Sequence, residues 1–263
     1  MGMNNLEIRY RGNGETPPLH SIKLRELEKE RSEFVDPDIL LVLELCITEY
    51  PQAGDTVFET FTPEDEFDAG GFYRLIEEGD EIIPTIFISE GHHERMESLL
   101  KIRRASVEAA AHLLEIAPDH MTTRLLRQFI ITHELGHILD FLNNYLPEHT
   151  NSIDAADEMS QHRELSMRTL PVSGVNPTDL AREISSLTSL QQAFTLFPSL
   201  SKYPRRDEIL SLADLLRIQE EEYRSTPQER YADEFAAQFL KRHAKELQNV
   251  FLDQSIQPDK KAV

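Results

Sequence analysis

Apolar side chains recur at helical spacing over most of the second half of the chain, which predicts helices over 92–116, 121–144, 177–194, 207–223 and 227–249. Leu19, Ile22, Leu24 and Leu27 show the same spacing among charges and predict a helix over 19–33, which Asp36-Pro37 ends before a second apolar segment over 39–47. Between Gly54 and Ser89 the texture changes to short β-rich pieces, 56–61 and 82–89, separated by Gly70-Gly71 and Gly79-Asp80. Residues 146–176 and 195–206 collect Pro, Ser and Asn and read as loops, punctuated by Pro147, Pro171, Pro177, Pro198 and Pro204. No internal repeat is visible, and the polar segment 254–263 is expected to fray. The pattern as a whole predicts one α+β domain, a small N-terminal sheet packed on a mostly helical C-terminal body.

Composition narrows the function. Forty per cent apolar residues, with 13 Phe and 7 Tyr among 263 residues, suffice for a core. The excess of 47 acidic over 27 basic side chains, a net charge of -20, works against a nucleic-acid surface, since phosphates are held by Lys and Arg clusters. Acidic residues crowd one stretch (Glu64, Asp65, Glu66, Asp68, Glu77, Glu78, Asp80, Glu81) without calcium-loop spacing and read as a solvated face. The one cysteine, Cys46, excludes an internal disulfide, fits a reducing compartment and reads as a buried small hydrophobe in the 39–47 run. That run is interrupted by Glu44 and far too short for a bilayer, and residues 1–20 lack the apolar stretch of a signal peptide. The expectation is a cytoplasmic protein without a membrane span, a location that delivery as a secreted effector would change without changing the chemistry.

The chemistry sits inside the helix predicted over 121–144, where His133-Glu134-Leu135-Gly136-His137 interrupts an apolar sequence. Residues four apart on a helix leave the same face, so the two imidazoles can meet one ion. Glu134 projects at a neighbouring angle, suited to a base that reaches the ion's water without binding the ion. The bare five-residue string arises in roughly a few per cent of shuffles of such a composition, so its helical context and a third ligand have to carry the reading. Zn²⁺ suits imidazole with carboxylate, and catalytic sites use three protein ligands with an open fourth place. The arrangement with a third His six residues on is excluded, because Asp140 and Asn143 stand where Gly and His are needed. A later helix offers Glu229, with Asp233 four residues on along the same face. Asp233 is then placed to accept the outer N–H of His133 or His137, while Asp140 is either a similar partner or exposed. Gly136 reads as making room for a crossing segment.

These two blocks, 127–139 and Glu229-x-x-Ala232-Asp233-x-Phe235-Ala236-Ala237-x-x-Leu240, resemble the ImmA/IrrE family of cytosolic zinc peptidases, which is associated with cleavage of repressor-type regulators. The resemblance implies a zincin-like fold, Zn²⁺ on His133, His137 and Glu229, Glu134 as general base, and a protein or peptide substrate that includes regulatory proteins. A similar second motif occurs in the membrane-bound CAAX-prenyl endopeptidases, whose spanning helices are missing here. The family comparison makes 82–89 the edge strand that receives an extended substrate. It also makes 146–223 a helical insertion, because the 92 residues from His137 to Glu229 far exceed the family's short connection. Zincins often add a Tyr or His at the oxyanion, and Tyr145, His149, His162, Tyr203, Tyr223 and Tyr231 all qualify by type. The rival expectation is a catalytically silent regulatory or protein-binding module on the same fold, against which the retention of Glu134 argues.

Overall fold

A computed structural model describes residues 21–26, 37–61, 70–89, 96–97, 99–101 and 103–248, which form an α+β structure. Strands β1 (Ser21–Lys23), β2 (Val57–Phe61), β3 (Gly71–Glu78) and β4 (Glu81–Ser89) make one four-stranded sheet in the order β1-β2-β4-β3. β2 runs parallel to β4, and the other two pairs are antiparallel. Gly79, at φ +66°, makes the two-residue turn between β3 and β4, a backbone angle that a side chain would disfavour.

The sheet corrects two expectations. The segment 82–89 is an interior strand, paired on both sides, so it offers no free edge. The outer strand is β3, which the pattern hid because Gly71 reads as a separator although it pairs with Ile88. Residues 21–26 form β1 and a short 3-10 turn, with Leu24 N–H donating to Thr56 O at 2.9 Å, where a helix over 19–33 was expected. The rest of that segment lies outside the described residues, as do Glu64, Asp65, Glu66, Asp68 and the tail at 254–263. Glu78, Asp80 and Glu81 are solvent-exposed, as a solvated run should be.

The helices are α1 (Pro37–Glu49), α2 (Arg104–Leu113), α3 (Thr123–Asp140), α4 (Ser152–Met167), α5 (Pro177–Ile184), α6 (Leu190–Leu196), α7 (Leu212–Arg224) and α8 (Pro227–Arg242). α3 begins where the Thr122 hydroxyl accepts from Leu125 N–H at 3.1 Å, and it continues past Asp140 into a single π-turn, Phe141–Tyr145. It is the central helix, buried from Leu125 to Phe129 and from Ile131 to Asp140. α8 starts at Pro227 and lies along α3 in the most extensive helix pairing of the fold. The main core joins α1, the sheet, α2, α3 and α8 through residues such as Phe58, Ile86, Leu135 and Phe239, and includes Cys46.

The expected insertion is more ordered than its sequence promised. α4 occupies a stretch read as loop. Asn151 caps it by accepting from Asp154 N–H at 2.8 Å, and Ala155, Ala156 and Met159 pack into the main core. The helix expected over 177–194 is two, α5 and α6, the second capped by Ser189. α7 begins at Leu212 rather than 207, because the Ser211 hydroxyl accepts from Asp214 N–H and sets the start. Leu180, Ile184, Leu200, Leu215 and Ile218 form a second apolar cluster with a few neighbours, all within 172–218. Among the described residues, no helix is long and apolar enough to cross a membrane.

Candidate metal centre

α3 presents His133 and His137 one turn apart on the face turned toward α8. The two helices pack closely at Gly136, where an added Cβ would lie 2.8 Å from Ala232 Cα. That crossing puts Glu229, in the first turn of α8, opposite the imidazoles. Glu229 Oε2 is 3.3 Å from His133 Nε2, and Glu229 Oε1 is 3.5 Å from His137 Nε2. The two Nε2 atoms are 3.1 Å apart, and one donor atom from each of the three residues falls within 4.8 Å of the others. All three side chains are buried. No other group of three such donors meets this condition among the described residues.

The outer nitrogens differ. His133 donates its Nδ1 proton to Asp233 Oδ1 at 2.8 Å, which leaves Nε2 to face the centre. Asp233 is in turn paired with Arg224. Among the described residues His137 Nδ1 has no hydrogen-bond partner, and the ring is held instead by Tyr73, stacked at 4.5 Å between centroids. Asp140, one turn beyond, is buried and accepts from Asn144 at 2.7 Å, so it is neither exposed nor a partner of the imidazole.

Electrostatics follow from this placement. Burial pushes the His133 imidazole down, but Asp233 and Glu229 outweigh it and hold the group up at about 10. His137, desolvated and facing a cationic neighbour, is pushed down to about 3. Burial would raise Glu229, yet His137, His133 and Arg163 keep its carboxylate well below the usual range. Glu134 moves the other way: burial, with Glu229 nearby, pushes it up to about 7. Two lone-pair nitrogens and an ionised carboxylate converging in a dry site leave room for one positive charge, which in the metal-free chain is a proton on His133. The same donor set could hold a metal ion, and two imidazoles with a carboxylate are of the kind that suits a borderline cation such as Zn²⁺.

Beside the three donors opens a cavity of about 430 Å³, lined by Glu134, by Tyr73 of β3 and by Arg163 of α4, among others. Tyr223 of α7 lines it as well and donates its hydroxyl to Glu229 Oε1 at 2.6 Å. Of the six residues named as oxyanion candidates, Tyr223 alone lines the cavity. Tyr145 contacts His162, and His149 is held by Glu158, both in α4's neighbourhood and away from the cavity wall. Tyr203 is paired with Glu222, and Tyr231 lies near Asn143 and Asp140. Tyr73 and Arg163 were not singled out from sequence. The only local sign for Arg163 is its place in a helix whose start Asn151-x-x-Asp154 signals.

No family model, curated protein or solved structure matches the chain.

Proposed function

We propose that this protein is a zinc-dependent peptidase of the zincin type, similar to the ImmA/IrrE enzymes, that hydrolyses a protein or peptide in the cytoplasm. The observation that supports it best is the convergence of His133, His137 and Glu229 beside a cavity whose wall carries Glu134. Zn²⁺ held by those three residues would supply Lewis acidity, polarising the scissile carbonyl and acidifying a water. The remaining work falls to the chain. Glu134, placed by burial at about 7, is near the value at which a base both accepts the water's proton and returns it to the leaving amine. Tyr223 sets its hydroxyl beside Glu229 Oε1, where it can donate to the carbonyl oxygen as charge develops there. β3 is an outer strand of the sheet among the described residues, and its Gly71, Phe72, Tyr73 and Arg74 line the cavity, so an extended peptide held there would lie along β3.

Glu134→Gln tests the reading. It keeps shape and hydrogen bonding but cannot take the proton, so zinc content should stay at one per chain while cleavage falls by about 10²- to 10⁴-fold. Equal cleavage by the two proteins at equal zinc would make this a silent binding module, the outcome that overturns the proposal.

A further inference from the structure

The arginines around the cavity are not equivalent. Arg103 is tied to Glu220 at 3.0 Å and to Thr178 at 2.8 Å, and Arg224 to Asp233 and Glu220. Glu220 and Asp233 thus each have a cation. Arg163 is different. Among the described residues no carboxylate lies within ion-pair distance of it, in a chain with 47 acidic against 27 basic side chains. Its guanidinium sits 5.9 Å from the centroid of Tyr73, the ring that stacks on His137, and it neighbours Tyr223 and Glu229.

Arg163 is half-buried in the cavity wall, where Tyr223, Tyr73 and Glu229 stabilise its charge although no carboxylate among the described residues pairs with it directly. Glu229 does not serve once its charge and that of Glu134 offset a divalent ion. Tyr223, whose hydroxyl touches Glu229, neighbours Arg163 as well. Arg163 and the three donors line one cavity, so a substrate held at the donors can present a neighbouring group to Arg163. A planar guanidinium with parallel N–H groups is the geometry that a carboxylate fills with two charge-assisted hydrogen bonds.

We infer that Arg163 binds a carboxylate of the substrate, so that the enzyme cleaves next to an acidic side chain or a free C-terminus. This rests on the peptidase reading and assigns the substrate class of that same site. It also gives the segment 146–223 a task, since Arg163 belongs to it.

The test uses short peptides in matched pairs, one pair differing in a free or amidated C-terminus, the other in Glu or Gln beside the scissile bond. Binding is measured by calorimetry on zinc-loaded Glu134→Gln protein, and cleavage on the wild type. The carboxylate member should bind and be cut about 10- to 100-fold better, the worth of a charge-assisted pair. Discrimination confined to the terminal pair identifies the C-terminus as the source, and discrimination confined to Glu over Gln identifies a side chain. Arg163→Gln should bring either ratio to within about twofold, and Arg163→Lys, which keeps the charge without the planar fork, should retain part of it. Should Arg163→Gln fail to fold, the lysine variant and the wild-type ratios still decide. No preference in the wild type, or an equal loss on all peptides in the variants, overturns the inference. Wild type that cuts no peptide while Glu134→Gln still binds carboxylates through Arg163 overturns the peptidase reading and leaves this one standing.

Discussion

His133 sets a proton against a cation for one lone pair. With its folded value raised to about 10 from 6.5, the imidazole is protonated in the metal-free protein at neutral pH. The stability from its pairing with Asp233 and Glu229 is fully present below about 6.5 and is lost as pH rises through about 10. A metal must displace that proton. Zinc binding between pH 7 and 9 is therefore expected to release about one proton, with affinity falling toward acid pH, readable by calorimetry in buffers of different ionisation heat. Asp233→Ala removes the acceptor that orients His133 and should weaken zinc affinity on the order of 10- to 100-fold, measured by competition with a chelator. Unchanged affinity would mean that the Arg224-Asp233 pair is incidental. At this scale the pairs His133–His137 and Glu229–Asp233 were each legible because residues four apart share a helix face, whereas the expectation that the two pairs meet came from the family resemblance. Tyr73 and Arg163 were not legible, because each is an ordinary residue locally and only the packing of β3 and α4 against α3 brings them to the cavity.

Between elements, the position of Glu229 depends on how closely α8 lies on α3. Gly136→Ala would place a methyl 2.8 Å from Ala232 Cα, a backbone atom that cannot swing aside. The helical preference of Ala over Gly gains about 1 kcal/mol, and overpacking costs about 1–3 kcal/mol, so the net effect should be destabilising. Denaturant unfolding should show a lower midpoint with an unchanged slope, and zinc affinity should drop as Glu229 is displaced. A midpoint equal to or above the wild type would show that the helices can separate freely. The sequence disclosed α3 and α8 because each combines a start signal with a long run of periodic positions. It hid α4, whose polar residues blur any stripe, and β3, whose glycine start looks like a boundary.

For the whole molecule, a ligand that binds only the folded chain stabilises it by mass action. Zinc at about a thousand times its dissociation constant is worth about 4 kcal/mol, so stripping it with a chelator should lower the melting temperature and restoring it should recover the loss. A melting temperature indifferent to both would remove the metal from the account of this fold. The overall α+β division was readable from the change of texture near residue 92, whereas the second apolar cluster was not, because its members are scattered among prolines and serines and meet only after α5, α6 and α7 pack.

His133 and Asp233 are 100 positions apart, and everything between them must be made before they meet. During synthesis the imidazole pair leaves the ribosome long before Glu229, and two donors on a helix without its partner α8 hold an ion weakly. A nascent chain without α8 therefore carries Glu134 and part of the cavity wall but not the complete centre. On the function proposed above, hydrolytic capacity would arrive only with α8, and a chain interrupted before it would be inert toward the proteins around it.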